Sequence, residues 1–167
     1  MSSDPQAQAR TIGLAMLDRS PRTRAELATA MARRGVPDDA AESVLDRFAA
    51  VGLIDDVAFA NAWVESRHHG RGLARRALAS ELHKRGIDAE VASDALASVS
   101  TDDEARAAEA LVRRRLRSMS GLPREVQSRR LTAMLGRKGF GASVSYAVVR
   151  RVVGEGIGSP DADSLAT

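Results

Sequence analysis

Apolar residues recur along this chain at i, i+3, i+4 and i+7, the spacing of one buried helix face, and not in the alternation of a strand. Alanine and leucine dominate and β-branched runs are short, so the pattern predicts helix throughout. Three segments share one frame, Leu-x3-[Met/Leu]-x-basic-basic-Gly-apolar. They are Leu27, Met31, Arg33, Arg34, Gly35, Val36; Leu78, Leu82, Lys84, Arg85, Gly86, Ile87; and Leu131, Leu135, Arg137, Lys138, Gly139, Phe140. The glycines lie 51 and 53 residues apart. Counting from each glycine, four further positions are apolar in all three copies. Position +5 is Ala40, Val91 or Val144, and +9 is Val44, Ala95 or Val148. Position +10 is Leu45, Leu96 or Val149, and +13 is Phe48, Val99 or Val152. Agreement at so many places makes this an internal repeat of about 52 residues, too long for tetratricopeptide or ankyrin units.

The frame has a physical reading. Glycine closes a helix at C′, where a left-handed backbone is needed, and the basic pair before it sits at the negative end of the helix dipole. Offsets +5, +9 and +13 are i, i+4 steps along the buried stripe of the next helix. Upstream of each frame lies one more helix. The first copy has it from about Ala9 to Asp18, with Thr23 and Glu26 as a capping box for the helix that follows. The second begins at Asp55 or Asp56, with Phe59, Ala62 and Trp63 on its inner face; the third has a capping box in Thr101 and Glu104, and Pro123 suits the first turn of its second helix. The expected fold is all-α, three tandem three-helix repeats forming an elongated, curved array. Its parts are residues 9–52, 53–100 and 101–153, flanked by flexible ends at 1–8 and 154–167 that have no stripe to bury.

Composition narrows the class. The 167 residues are 44% apolar and 28% charged, the mix of a folded soluble protein, and zero cysteines exclude disulfides and thiolate metal sites. No apolar run approaches the ~18 residues of a membrane span, and MSSDPQAQAR lacks the stretch of a signal peptide, so the cytoplasm is the expected location. The net charge is only +3, but it is unevenly placed. Residues 1–101 hold 13 basic and 14 acidic side chains, residues 102–153 hold 12 and 5, and the last fourteen residues carry three acids and no base. The third repeat is therefore cationic, and a polyanion or an acidic protein surface is its natural partner.

Candidate chemistry is sparse. His68 and His69 are adjacent and so point about 100° apart on a helix, His83 lies 14 residues on, and all three read as solvent-exposed rather than as metal ligands. The pairs Asp55/Asp56 and Asp102/Asp103 sit where helices begin and read as caps, not as acid/base couples. Gly70 and Gly72 fall in a short loop between helices, with no strand before them to make a nucleotide fingerprint. No catalytic constellation, metal or cofactor is expected. The strongest local signal is a basic stripe on the helix from about Asp102 to Arg117. There Arg106, Arg113 and Arg117 fall within about 40° of one another. Arg114 flanks them, while Arg115 falls along the core edge with its head group at the surface. Arg130 and Arg137 share a face at i, i+7. Phe48, Phe140 and Trp63 read as core, whereas Tyr146, whose repeat equivalents are Glu42 and Ser93, reads as exposed beside the basic region.

The second repeat carries a further signal. LIDDVAFANAWVESR (Leu53 to Arg67), followed by LASELHKRGI (Leu78 to Ile87), resembles the signature of the bacterial RecX family. Asp55, Asp56, Phe59, Ala60, Trp63 and Arg67 match its first motif, and Glu81, Leu82, Gly86 and Ile87 its second; RHHGRGLARR replaces the family's more usual proline-containing linker. The resemblance implies a non-enzymatic modulator, expected as a monomer, that binds RecA. Such a protein lodges in the groove of the recombinase filament and suppresses its ATPase, strand exchange and co-protease activity, tempering the SOS response. Direct contact with single- or double-stranded DNA is compatible with it. The partner-binding candidates are then Arg106, Arg113, Arg114 and Arg117, with Arg130 and Arg137, the central Arg67, Arg71, Arg75 and Arg76, and Tyr146. The competing readings are a general DNA-binding helical protein acting through phosphate contacts, and a passive repeat scaffold.

Overall fold

The structure is a computed structural model that describes residues 4–155. Among these, α-helices follow one another without strands: α1 (Pro5–Leu17), α2 (Arg24–Arg33), α3 (Asp38–Ala50), α4 (Asp56–Arg71), α5 (Arg75–Lys84), α6 (Ala89–Leu96), α7 (Thr101–Leu116), α8 (Arg124–Arg137) and α9 (Ala142–Glu155), with a 3-10 turn at Arg117–Met119. The chain divides into two compact units, Met1–Glu65 with Ala79–Ser98 and Ser66–Leu78 with Val99–Thr167.

The repeat frame is the core. Leu27, Leu78 and Leu131 are wholly buried, as are Met31, Leu82 and Leu135. Val36, Ile87 and Phe140, and all three copies at +9, +10 and +13, are buried too; at +5 only Ala40 is, with Val91 and Val144 half-buried. In the first unit Ala9 and Ile12 of α1 and Leu27 and Met31 of α2 close over Val44, Leu45 and Phe48 of α3. In the second, Ala108, Leu111 and Val112 of α7 and Leu131 and Leu135 of α8 close over Val148, Val149 and Val152 of α9.

Each frame ends the same way. Gly35, Gly86 and Gly139 have φ of 76°, 74° and 88°. The amide after each glycine reaches back five residues, Val36 to Met31, Ile87 to Leu82 and Phe140 to Leu135, each at 3.1 Å. This is the Schellman closure, with its apolar contact supplied by the frame itself. Two of the glycines have a second duty. A Cβ on Gly86 would stand 2.4 Å from Ala25 Cβ, and one on Gly139 would stand 2.6 Å from Ala77 Cβ and 2.7 Å from its backbone nitrogen. The start of α2 thus presses on the end of α5, and the start of α5 on the end of α8. Beside Gly35 nothing lies within 4 Å.

The same seams carry long-range hydrogen bonds. Thr23, wholly buried, accepts from the Glu26 amide at 3.2 Å while its hydroxyl donates to Arg85 O at 2.7 Å. The amide of Ala74 donates to Lys138 O at 3.1 Å. The first amide of α2, on Arg24, is closed by Asp56 Oδ1 at 3.0 Å; that of α5, on Arg75, by Glu104 Oε1 at 2.8 Å. An acid in the first turn of one repeat therefore caps the second helix of the repeat before it.

Several local expectations need correction. α1 starts at Pro5, earlier than about Ala9, because Asp4 accepts from the Gln6 amide and Pro5 has a fitting φ. So 5–8 are helical and α9 reaches Glu155; the remaining parts of the expected flexible ends, 1–3 and 156–167, lie outside the described residues. The capping box of α7 is Ser100 with Asp103, one residue before the expected pair, which leaves Glu104 free for Arg75. Pro123 stands at the N-cap of α8 instead of in its first turn. Gly70 belongs to the last turn of α4, and Gly72, with φ of 62°, follows it. His68 is buried, only 6% exposed, with Nδ1 3.0 Å from Leu73 O. Trp63 is half-buried, not core, and Ala62 is exposed, because the fully buried stripe of α4 is Ala60 and Val64. Trp63 stacks on Phe59 at 5.7 Å, donates Nε1 to Glu81 at 2.8 Å and lies 4.2 Å under the Arg85 guanidinium, which also pairs with Glu26 at 2.7 Å.

Candidate basic binding surface

Three cationic residues of the second unit gather where the end of α4 faces α7. Gly72 breaks α4 with Leu111 of α7 packed over it; a Cβ there would stand 3.1 Å from Leu111 Cδ1. The buried His68 fixes the turn by its contact with Leu73 O, and Lys138 Nζ reaches Arg71 O at 3.4 Å. Between the two helices runs a cleft of about 350 Å³, lined among others by His69, Arg71, Asp103, Arg106 and Arg114. Three of the arginines read from the sequence, from stretches more than thirty residues apart, share this one space.

Its electrostatics follow from the capping box. Asp103 accepts from the Ser100 hydroxyl at 2.7 Å and amide at 3.0 Å, and from Arg106 at 2.6 Å. The Ser100 hydroxyl, then its amide and then Arg106 hold the Asp103 carboxyl far below the ordinary carboxylate range, so it stays ionised and keeps Arg106 in place. Arg71 and Arg114 have no carboxylate within 4 Å among the described residues. One acid against three guanidiniums leaves the cleft positive.

The other members of the stripe point elsewhere. Arg113 and Arg117 line a separate groove of about 670 Å³ with Leu116, Leu122, Arg124 and Val152. Arg113 is held by Glu109 and Glu155, each at 2.8 Å, and Arg151 binds Glu109 from α9. The bond to Glu155, then that to Glu109, raises the Arg113 pKa, and the Arg113 bond lowers that of Glu109. Three residues that the helical wheel places in one stripe are thus divided, and Arg106 and Arg113 spend charge on internal partners. Arg115 is exposed.

Of the remaining candidates, Arg67 is half-buried and Arg75, Arg76, Arg130 and Arg137 are exposed. Tyr146 is 65% exposed, as its repeat equivalents suggest, in a slot of about 300 Å³ between α8 and α9 with Arg124, Ser128, Thr132 and Arg150. Arg124 and Arg150 are not singled out by the sequence, since neither lies on the α7 stripe. Nor was Gln127 foreseen; it is buried at the repeat position of Thr23 and Ala74 and donates Nε2 to Met119 O at 2.8 Å. Among the described residues no three His, Asp or Glu side chains come together as metal ligands, and no helix is long and apolar enough to cross a membrane.

Comparison with known proteins agrees with this organisation. Residues 9–48 match the first three-helix domain of RecX, 55–96 the second and 102–149 the third. The chain belongs to the RecX family. Within it, the chain is 52% identical over 147 residues to "Regulatory protein RecX" of Thermobifida fusca, covering 88% of this chain and 80% of that one. It is 51% identical over 152 residues to the regulatory protein RecX of Streptomyces coelicolor, covering 91% and 81%. The Mycobacterium tuberculosis RecX protein is 45% identical over 152 residues, covering 89% and 87%. RecX is a family of regulatory proteins and not of enzymes. The fold is that of the crystal structure of RecX from Lactobacillus salivarius, with a TM-score of 0.79 at 19% identity over 89% of this chain and 97% of that one. A second RecX crystal structure superposes with a TM-score of 0.75 at 24% identity, covering 89% and 72%.

Proposed function

We propose that this protein binds RecA on its DNA filament and restrains the recombinase, lowering its ATPase, strand-exchange and co-protease activity in DNA repair and the SOS response. The observation that carries the reading to particular residues is the cleft between α4 and α7, which Arg71, Arg106 and Arg114 line together with a single carboxylate, that of Asp103. A cavity with excess fixed positive charge selects an anionic occupant, either acidic side chains of the recombinase or filament phosphates. Arg113, Arg117, Arg130 and Arg137 then belong to an outer cationic field that steers encounter, and Arg67, Arg75 and Arg76 to the approach along α4 and α5. The protein acts in the cytoplasm as a monomer and needs no cofactor.

The test is the DNA-dependent ATPase of the cognate RecA, with the protein added well below one per recombinase monomer. The wild type is expected to inhibit. A variant with Arg71→Gln, Arg106→Gln and Arg114→Gln is expected to lose most of that inhibition while keeping its helical circular dichroism. Inhibition that survives in the folded variant rejects the cleft. No inhibition by the wild type at equimolar amounts rejects the recombinase reading; salt-sensitive retention of naked DNA would then leave plain phosphate binding in its place.

A further inference from the structure

We propose that the slot between α8 and α9 binds a phosphodiester of single-stranded DNA, with the neighbouring base stacked on Tyr146. The internal repeat carries the argument. In the first repeat the corresponding slot is closed from within: Arg24 of α2 pairs with Glu42 and Asp46 of α3, the latter at 2.7 Å. Counting from Gly35 and Gly139, Arg24 corresponds to Ser128, Glu42 to Tyr146 and Asp46 to Arg150. In the third repeat the internal cation has become a hydroxyl, and the two acids have become a phenol and a cation.

The result is a space of about 300 Å³ lined by Arg124, Ser128, Thr132, Tyr146, Val149, Arg150, Val153 and Gly154, with no carboxylate among them. Two guanidiniums and three hydroxyls are charges and donors suited to phosphate oxygens. In the first repeat protein carboxylates supply the negative charge at this place; in the third it has to come from outside. The positive dipole end of α8 begins at Arg124, and this helix start has no side-chain cap. The Tyr146 ring is 65% exposed and stands one helical turn before Arg150. A base is the planar group that an exposed ring beside a phosphate site accepts, and it is free to do so only in an unpaired strand.

Tyr146 is the one tyrosine of the chain, so full-length protein made with 3-fluorotyrosine gives a single fluorine resonance that reports on this slot. Titration with a short oligothymidylate, without recombinase, is expected to shift that resonance saturably. Arg150→Gln and Thr132→Val should each weaken the titration at least ~5-fold, as expected for losing a hydrogen bond to a charged group. Affinity of Tyr146→Leu, read by anisotropy of a labelled oligonucleotide, should fall by ~5- to 100-fold. The proposal is overturned if the oligonucleotide binds without moving the resonance. It is equally overturned if inorganic phosphate alone produces the full shift, or if a duplex of the same length binds more tightly and shifts it as far. RecA is absent throughout, so failure here leaves the ATPase test of the recombinase reading untouched.

Discussion

Substituting the three repeat glycines one at a time separates backbone strain from seam packing. Alanine at φ near 75° costs ~1–2 kcal/mol. It recovers ~0.4–1 kcal/mol by restricting the unfolded chain. Gly35→Ala, with open space around it, should therefore destabilise by only ~0.5–1 kcal/mol. Gly86→Ala carries the same strain and also drives a methyl to 2.4 Å from Ala25 Cβ. Overpacking of this kind adds ~1–3 kcal/mol, for a total of ~1.5–4 kcal/mol. Gly139→Ala should cost at least as much. The two seams differ in what can yield. At Gly86 the close atom is a methyl, so Ala25→Gly removes it, and the double variant should show a favourable coupling of ~1–2 kcal/mol. At Gly139 the Ala77 backbone nitrogen stands at 2.7 Å, so Ala77→Gly leaves a clash and restores little. Urea unfolding gives the midpoints, and native-state hydrogen exchange assigns each loss to α2 and α5 or to α5 and α8. Equal costs for Gly35→Ala and Gly86→Ala, or no coupling between Ala25→Gly and Gly86→Ala, would refute the reasoning.

The seam caps and the α7 box offer two further checks. Asp56→Ala and Glu104→Ala should each cost ~1 kcal/mol in urea unfolding, with increased exchange at the first amides of α2 and α5 respectively and not at the other. The Asp103 carboxyl is held below its ordinary 3.8 in the folded protein, so its contribution is present in full above that value and lost as pH falls through the lower folded pKa. The stability gap between wild type and Asp103→Asn should thus be constant from pH 7 to about 5 and shrink steadily below 4; a gap that widens on acidification would contradict the assignment.

What the sequence made legible were the features set by local spacing. The leucine-glycine frame, the +9, +10 and +13 core positions, the left-handed glycines and the Thr23–Glu26 box all depend on neighbours within about one helix length, and the structure has them. The family motif around Asp55 to Arg67 is equally local. What escaped was decided across the seams. Ser100-x-x-Asp103 and Thr101-x-x-Glu104 are equivalent capping boxes on paper; the Arg75 amide, far off in sequence, engages Glu104 and leaves the box to the other pair. Trp63 stands outside the core because the Glu81 carboxylate of α5 and the Arg85 guanidinium just past its end give its N–H and its ring better partners than an apolar interior would. His68 went inside because a backbone carbonyl was waiting for it. The basic stripe was countable from the sequence. That Arg106 would join Arg71 and Arg114 while Arg113 turned to Glu155 was not, because the second wall of each groove is another helix.

The borrowed caps also bear on how such a chain can be rearranged. α2 and α5 begin eleven residues before their glycines and rely on Asp56 and Glu104 from the following repeat, whereas α8 begins fifteen residues before Gly139, one turn earlier. That added turn satisfies from within the helix the amide of Ser128, the counterpart of Arg24 and Arg75. The three repeats are therefore not interchangeable parts. Moving the third to the middle would hand its successor a site already closed, and moving the second to the end would leave the Arg75 amide without its acid. Their order along the gene is written into the hydrogen bonds, so duplication or shuffling of a repeat carries a penalty at each mismatched seam even when every core residue is kept.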